Sequence, residues 1–303
     1  MCTAVHFNNF FGRNLDLEFS YGERIIFTPQ NFLLPFRMAE PLHRHYSIIG
    51  AGITAEGYPL YFDAMNEKGL CAAGLNFPDY AQYMPACHGA DNIAPFEFIP
   101  YILGKCATVH DAKRLLTRIN ITDIHFNDNF PNTPLHWMIA DRNSSVVVEQ
   151  TKQGLFVYDN KANILTNSPP FDYQMTNLKN YINITAKEPE NRFSKILPIT
   201  PYSRGMGGMG LPGDWSSASR FVRGAFVLLN SVECDLSQFF HILSSVEQPK
   251  GSVCVGDKYE YTVYSSCCDT EKLIYHYTTY ENRCINSVAM NDFDFCTHEL
   301  VLI

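Results

Sequence analysis

A cysteine lies at position 2, directly after the initiator methionine, in a chain that begins Met1-Cys2-Thr3-Ala4-Val5. If Met1 is removed, one residue carries both a thiol and a free α-amine. A free α-amine has a pKa of about 7.7–8.0 and a free thiol one of about 8.5, so near neutral pH the amine can accept the thiol proton. Cys2 alone could therefore supply a nucleophile and its base, although a lone cysteine at this position is more often incidental than catalytic.

An arginine and an aspartate follow at positions 13 and 16, in the run FGRNLD (11–16). Residues three apart on an extended strand face opposite sides, but a bend at a strand end could bring both toward the start of a neighbouring strand. An antiparallel register would then place Arg13 or Asp16 beside Cys2. An ordinary surface ion pair is the alternative that this spacing leaves open.

The N-terminal residues predict the hairpin that such a register requires. Strand-like runs at 2–7 and 10–14 are joined by Asn8 and Asn9, and asparagine tolerates the left-handed backbone of a tight turn. Free chain ends usually fray, so a hairpin here would hold Cys2 in a sheet.

The rest of the chain alternates between strand-like and helix-like patterns. Apolar residues at helical spacing predict four helices, the last after an Asp235 N-cap, at 94–106, 109–120, 217–231 and 236–245. Strands are predicted at 46–53, 70–75, 136–140, 145–150, 154–158, 163–166, 259–265, 273–278 and 285–290. Because no linker interrupts this order, we expect one α+β domain of packed layers over residues 1–303.

Composition and charge exclude several classes of protein. The 303 residues are 46% hydrophobic and 18% charged, as in a globular protein. The formal charge is −8 with no basic stripe, so nucleic-acid binding is not expected. No apolar run approaches the roughly 18 residues that span a bilayer, and the N-terminus lacks a signal-peptide pattern. We therefore expect a cytoplasmic protein without membrane insertion.

The ten cysteines do not suggest a metal site. A reducing compartment disfavours disulfides, so most of them are expected to be buried small side chains. The adjacent Cys267-Cys268 and the loose set at 254–284 lack the spaced pairs of a zinc site. No metal is predicted, and no organic cofactor is implied.

Several motifs together resemble the choloylglycine hydrolase family, which includes bile salt hydrolases and penicillin V acylases. The N-terminal run MCTA is followed by FGRNLD (11–16) and FSYGE (19–23). Further matches continue in order along nearly the whole chain: MNEKGL (65–70), AGLNFPDY (73–80), PFEFIPYILG (95–104), PLHWMIAD (134–141), ILTNSPPFDYQ (164–174), YSRGMGGMGLPGDWSSASRFVR (202–223), FFHILSSVEQPKG (239–251) and YEYTVYSSCC (259–268). The resemblance implies a bacterial N-terminal nucleophile hydrolase with a four-layer αββα sandwich of antiparallel sheets, commonly a homotetramer.

The resemblance also implies roles for six residues. Cys2 matches the nucleophile, which Met1 removal would activate. Asp16 matches the aspartate that contacts the new α-amine. Arg13 and Arg220 match the two arginines that flank the thiolate. Asn76 and Asn167 match the two asparagines that form or support the oxyanion hole, and Ser168 is a neighbour of Asn167.

Such a set suits amide hydrolysis. The thiolate attacks the carbonyl, the α-amine moves the proton to the leaving amine, and water releases the thioester. Penicillin V acylases often carry a tyrosine at the position of Asn76, so this residue favours glycine- or taurine-conjugated bile acids as substrates. A penicillin V acylase or another N-acyl amidase is the nearer alternative, and a non-catalytic binding protein on the same scaffold is the distant one.

A steroid acyl group needs an apolar cleft. Loop positions that correspond to the family's cleft supply seven apolar or aromatic candidates, each of which could instead belong to the core: Leu15, Leu17, Tyr58, Ile124, Phe126, Phe130 and Leu135. The first hairpin, HFNNF, is shorter than is usual in the family. This departure bears on acyl preference and on the choice between glycine and taurine.

Overall fold

The computed structural model describes residues 1–303 and consists mainly of strands. The strands are β1 (Cys2–Phe7), β2 (Phe10–Leu17), β3 (Arg24–Thr28), β4 (Ile48–Ala55), β5 (Tyr58–Asn66), β6 (Cys71–Asn76), β7 (Asp91–Ile93), β8 (Ile119–Ile121), β9 (Leu135–Ala140), β10 (Ser145–Thr151), β11 (Gly154–Asp159), β12 (Ile164–Leu165), β13 (Val253–Val255), β14 (Lys258–Asp269), β15 (Ile274–Thr279), β16 (Asn286–Ala289) and β17 (Val301–Leu302). The helices are α1 (Phe98–Lys105), α2 (Val109–Leu116), α3 (Phe171–Asn177), α4 (Ser217–Leu229) and α5 (Leu236–Ser244), with short 3₁₀ turns at Pro95–Glu97, Leu178–Tyr181, Met206–Gly208 and Met290–Asp292.

Nearly all the strands belong to two antiparallel sheets. The first sheet has the order β12-β1-β2-β14-β15-β16, and β13 pairs with β14. The second sheet has the order β11-β10-β9-β6-β5-β4-β3-β17. A separate parallel pair joins β7 to β8.

The two sheets pack face to face, with helices on their outer faces, and alternate side chains of a strand point to opposite sides of its sheet. On β9, Trp137 and Ile139 pack into a core with α1 and α2, whereas Met138 and Ala140 face the core between the sheets. Helices α4 and α5 pack against the first sheet. Each sheet is therefore buried on both faces, which the hydrophobic effect favours. The expected four-layer αββα sandwich of antiparallel sheets is confirmed.

The N-terminal hairpin has the expected form. In its register Cys2 lies opposite Leu15 and Ala4 opposite Arg13, so Met1-Cys2 is held against the far end of β2. Asn8 takes the left-handed backbone at φ 56° in the turn. Strand β2 extends past the predicted end at residue 14 to Leu17, because it continues to pair with β14.

One predicted helix is too long. The helix expected over 109–120 ends at Leu116, and Ile119–Ile121 forms β8 beside β7. The β-branched side chains of Ile119 and Ile121 are both buried there, so packing outweighs the helical pattern. Strands β3, β5, β7, β13 and β17 and helix α3 were not predicted. None of the five helices is long and apolar enough for a membrane crossing.

We predict that Gly12→Ala destabilises the fold, because β2 and β14 meet closely at this position. A Cβ on Gly12 would lie 1.9 Å from the carbonyl oxygen of Ser266. Moving backbone to relieve such overlap is expected to cost about 3 kcal/mol in the free energy of unfolding. Chemical denaturation measures this cost. Gly213→Ala is the control, since a Cβ there meets nothing within 4 Å; equal stability of the two variants would contradict the prediction.

Candidate active site

The Cys2 thiol is enclosed at the start of β1, the strand next to the edge strand β12 of the first sheet. Cys2 begins β1, which lies between β12 and β2, and the residue is only 3% exposed. The core between the two sheets includes it. A nucleophile in this position is held by the sheet rather than by a mobile chain end.

Arg13 reaches this thiol from the paired strand. Its Nη2 donates to Cys2 Sγ, and its Nη1 donates to the carbonyl oxygens of Phe62 at 3.0 Å and Gly74 at 2.6 Å. Those carbonyls belong to β5 and β6 of the second sheet, so the guanidinium links the two sheets. Burial opposes the charge of Arg13, but Cys2 and nearby acidic groups raise its pKa above the ordinary value. Arg13 is therefore a fixed positive charge at the sulfur.

A buried carboxylate that the sequence reasoning missed lies behind Arg13. Asp63 accepts hydrogen bonds from Tyr264, from Ser266 at 2.9 Å and from Tyr275 at 2.7 Å. Burial raises the pKa of Asp63, while Arg13 and the three hydroxyls oppose the rise. The signal available in the sequence was one charged residue inside the apolar run YFDAMN.

Arg220 approaches Cys2 from α4. Its Nη1 donates to the Cys2 carbonyl oxygen at 2.7 Å and to Thr3 Oγ1 at 2.6 Å. Its Nη2 donates to Asn167 Oδ1 at 2.8 Å. Burial lowers its pKa, and Asp16, Cys2 and Glu260 partly offset this. A guanidinium keeps its proton throughout the ordinary pH range, so a second fixed positive charge faces the backbone of Cys2.

Asp16 lies on the opposite face of β2 from Arg13, without the bend that the sequence reasoning invoked. Its carboxylate accepts from Thr262 Oγ1 at 2.6 Å and from Gln248 Nε2 at 2.9 Å, and lies 3.9 Å from Arg220 Nη1. Arg13 is 1% exposed and Asp16 is 0% exposed. The alternative of an ordinary surface ion pair is therefore wrong.

Asn167 contacts the backbone of Cys2, and the two asparagines contact each other. Asn167 Oδ1 accepts the Cys2 N–H at 2.7 Å, and Asn167 Nδ2 donates to the Asn76 carbonyl oxygen at 2.7 Å. The Asn76 side chain makes no hydrogen bond within the protein, and its buried Oδ1 has no partner. Ser168 instead donates to the Pro78 carbonyl oxygen at 2.6 Å. The Asn76 side chain thus has an unused amide, and its backbone is linked through Asn167 to Cys2.

Met1 is present and its ammonium group is bound. It donates to the backbone carbonyl of Asp16 at 2.7 Å and forms an ion pair with Glu260 at 2.5 Å. Burial raises the pKa of Glu260, and the chain terminus opposes that rise. Glu260 is another buried acidic residue that the sequence reasoning missed. In this form the Cys2 nitrogen is a peptide nitrogen and cannot act as a base.

Two of the predicted substrate-binding residues, Leu15 and Leu17, lie beside the thiol. Leu15 is the register partner of Cys2, and Leu17 is half-buried two residues further along β2. Leu135, also half-buried, is the register partner of Asn76. Leu15 and Leu17 thus provide an apolar surface next to the thiol, whereas Leu135 packs with Trp137 on the helix-covered face of the second sheet.

Of the other four candidates, Tyr58, Phe126 and Phe130 form a separate aromatic group. Tyr58 and Phe126 have ring centroids 6.1 Å apart, and Phe126 and Phe130 have centroids 6.2 Å apart. Ile124 is half-buried in the segment before Phe126. The buried hydroxyl of Tyr58 has no partner. Contact of all seven residues with a substrate remains a prediction.

Comparison with known proteins gives matches over nearly the whole chain. The family of linear amide C-N hydrolases called the choloylglycine hydrolase family matches residues 2–303. The chain is 51% identical to a bile salt hydrolase/transferase of Lactiplantibacillus plantarum, over 99% of this chain and 96% of the relative. It is 42% identical to a bile salt hydrolase/transferase of Clostridium perfringens, over 96% and 93% of the two chains.

Two solved structures have a fold similar to that of this chain. A cysteine-to-alanine mutant of the conjugated bile acid hydrolase from Clostridium perfringens matches with a TM-score of 0.94 and 39% identity, over 100% of this chain and 96% of that one. A penicillin V acylase from Agrobacterium tumefaciens matches with a TM-score of 0.77 and 21% identity, over 99% and 90%, which supports the fold alone. This chain belongs to the choloylglycine hydrolase family of linear amide C-N hydrolases.

Proposed function

We propose that this protein hydrolyses the amide bond of glycine- or taurine-conjugated bile acids, releasing the free bile acid and the amino acid. The observation that carries the proposal is the enclosed Cys2 thiol, which Arg13 contacts at the sulfur and Asn167 at the backbone nitrogen. The relatives named as bile salt or conjugated bile acid hydrolases support this substrate class.

Cys2 acts as the nucleophile once Met1 has been removed. Its freed α-amine has an acceptor already in place, since Asn167 Oδ1 lies 2.7 Å from the nitrogen. The amine takes the thiol proton and later gives it to the leaving glycine or taurine nitrogen. Arg13 stabilises the thiolate that attacks the amide carbon, and water then hydrolyses the thioester.

Asn76 supplies a hydrogen bond to the oxygen on which charge develops. Its amide is unused within the protein, and its carbonyl accepts from Asn167, so its position is fixed before substrate arrives. A preorganised donor of this kind contributes about 10²–10³ in rate. Leu15 and Leu17 offer the steroid an apolar surface beside the thiol.

We also propose a cytoplasmic location. All ten cysteines are free thiols, and four of them are exposed. Exposed free thiols persist best in a reducing compartment.

Substrate choice and the state of the N-terminus provide the first test. We expect the purified protein to have lost Met1 and to cleave glycocholate or taurocholate faster than phenoxymethylpenicillin. Cys2→Ala is expected to abolish cleavage, because no other group can form the thioester. Intact-mass measurement and amino-acid release assays check these results. Full activity with Met1 retained, or faster penicillin cleavage, would contradict the proposal.

Arg13→Lys tests whether the arginine acts by geometry as well as by charge. A single ammonium group cannot span Cys2 Sγ and the carbonyl oxygens of Phe62 and Gly74, so kcat/KM is expected to fall by about 10²-fold. Steady-state kinetics measure the loss and circular dichroism checks the fold. The exposed Arg204→Lys is the matched control. A folded Arg13→Lys enzyme with unchanged kcat/KM would count against the role of Arg13.

We propose that the protein assembles as a homotetramer. An excursion over residues 182–202 exposes large apolar side chains: Ile182 is 82% exposed, Phe193 84%, Ile196 94% and Tyr202 84%. Apolar side chains exposed together are typical of surfaces that another protein chain covers.

Light scattering after size-exclusion chromatography tests the assembly. We expect a mass of four chains for the unaltered protein and smaller species for the double variant Phe193→Glu, Ile196→Glu. Val232→Glu changes an equally exposed apolar residue (96%) outside the excursion and should leave the mass unchanged. A monomeric unaltered protein would rule out the tetramer.

A further inference from the structure

The buried pair of His136 and Glu149 has no part in the chemistry described above. His136 belongs to β9 and Glu149 to the neighbouring β10, and their side chains are 0% and 1% exposed. His136 Nδ1 lies 3.1 Å from Glu149 Oε1. Burial of ionisable groups is costly unless they are paired and hydrogen-bonded, so a pair in the layer between the sheets calls for a physical reason.

Both ring nitrogens of His136 face acceptors. Nδ1 faces Glu149 Oε1, which also accepts the Phe171 N–H at 3.0 Å. Nε2 lies 2.8 Å from the Thr166 carbonyl oxygen. A carbonyl oxygen accepts but does not donate, so Nε2 carries the proton that reaches Thr166, and Nδ1 is held by the carboxyl group of Glu149.

The ring contacts the chain next to each active-site asparagine. Thr166, whose carbonyl it binds, immediately precedes Asn167. Phe77 immediately follows Asn76 and stacks on the ring of His136, with centroids 4.3 Å apart and an interplanar angle of 5°. Asn76 ends β6 of the second sheet, whereas Asn167 follows β12 of the first. One side chain therefore connects the supports of two groups that lie on different sheets.

We propose that His136, oriented by Glu149, is a positioning residue that fixes Asn167 relative to Asn76 across the layer between the sheets. This role rests on the proposed function, since it concerns the groups around the reacting amide. His136 Nε2 holds the Thr166 carbonyl, and Asn167 Nδ2 then donates to the Asn76 carbonyl. Misplacing catalytic groups by about 1 Å can cost about 10²-fold in rate, so a buried hydrogen-bonded pair that prevents such a shift is useful.

Two substitutions separate the two contacts of the ring. The amide of asparagine lies near the Nδ1 position of a histidine, and the amide of glutamine lies near the Nε2 position. His136→Asn loses the donor to Thr166 and is expected to lower kcat by about 10- to 100-fold with KM changed by less than about threefold. His136→Gln keeps that donor and should have a kcat at least about fivefold above that of His136→Asn.

His45→Asn is the matched control. His45 is also buried, and its ring nitrogens lie 2.7 Å from the Tyr46 carbonyl and 3.0 Å from the Phe32 carbonyl. We expect a loss of thermal stability similar to that of His136→Asn, with kcat within about twofold of the unaltered enzyme. The proposal is overturned if His136→Asn keeps its kcat, if His136→Gln is no more active than His136→Asn, or if His45→Asn loses as much kcat.

Phe77→Leu keeps the test decisive where the His136 variants do not fold. It removes the stacked ring and is expected to lower kcat with little change in KM; an unaltered kcat would overturn the proposal. All ratios are taken on the amide that the unaltered enzyme cleaves best. Failure to cleave bile salts then counts against the proposed function, and failure of the ratios counts against the role of His136.

Discussion

The burial of two guanidinium groups around one thiol is the constraint on which the rest of this structure depends. An arginine cannot shed its charge, so each buried one must be surrounded by acceptors. Arg13 finds them on the second sheet, in the carbonyls of Phe62 and Gly74, and Arg220 finds them on the first, in Cys2 and Asn167. The hydrogen bonds that these two guanidinium groups require fix the spacing of the layers. The same hydrogen bonds position the Cys2 thiol.

The acidic residues of the site follow from the same requirement. Asp16 and Asp63 are fully buried and Glu260 is 4% exposed, and each lies near one of the two arginines or the chain terminus. Charges of opposite sign that are buried together depend on one another, because removing one leaves its partners without compensation. The site therefore behaves as a connected set of charges rather than as separate catalytic side chains.

Local pattern predicted those parts of the molecule that local contacts determine. The hairpin at the N-terminus and the Asp235 cap of α5 are found as expected, and Asp235 accepts from Gln238 N at 2.7 Å. The end of the helix at Leu116 was missed because β8 is decided by pairing with β7. The burial of Arg13 and Asp16 depends on chain segments more than 200 residues away, such as Thr262, and their spacing alone favoured a surface pair. The family resemblance, not the spacing, identified Asn76, Asn167 and Arg220.

The position of His136 also could not be predicted from the local sequence pattern. It lies in the quoted motif PLHWMIAD, yet only the contacts with Glu149 and Thr166 distinguish it from an ordinary core histidine. Helical or strand periodicity carries no information about such cross-sheet partners.

The enclosure of Cys2 has a consequence for covalent labelling of this enzyme. A small electrophile in solution meets the four exposed thiols, Cys87, Cys254, Cys284 and Cys296, before it meets a sulfur that is 3% exposed. A more reactive electrophile is thus not expected to modify Cys2 selectively. A reagent that modifies Cys2 alone has to fit the shape of the site. Its apolar portion has to bind the leucines beside the thiol, Leu15 and Leu17, before the covalent bond forms.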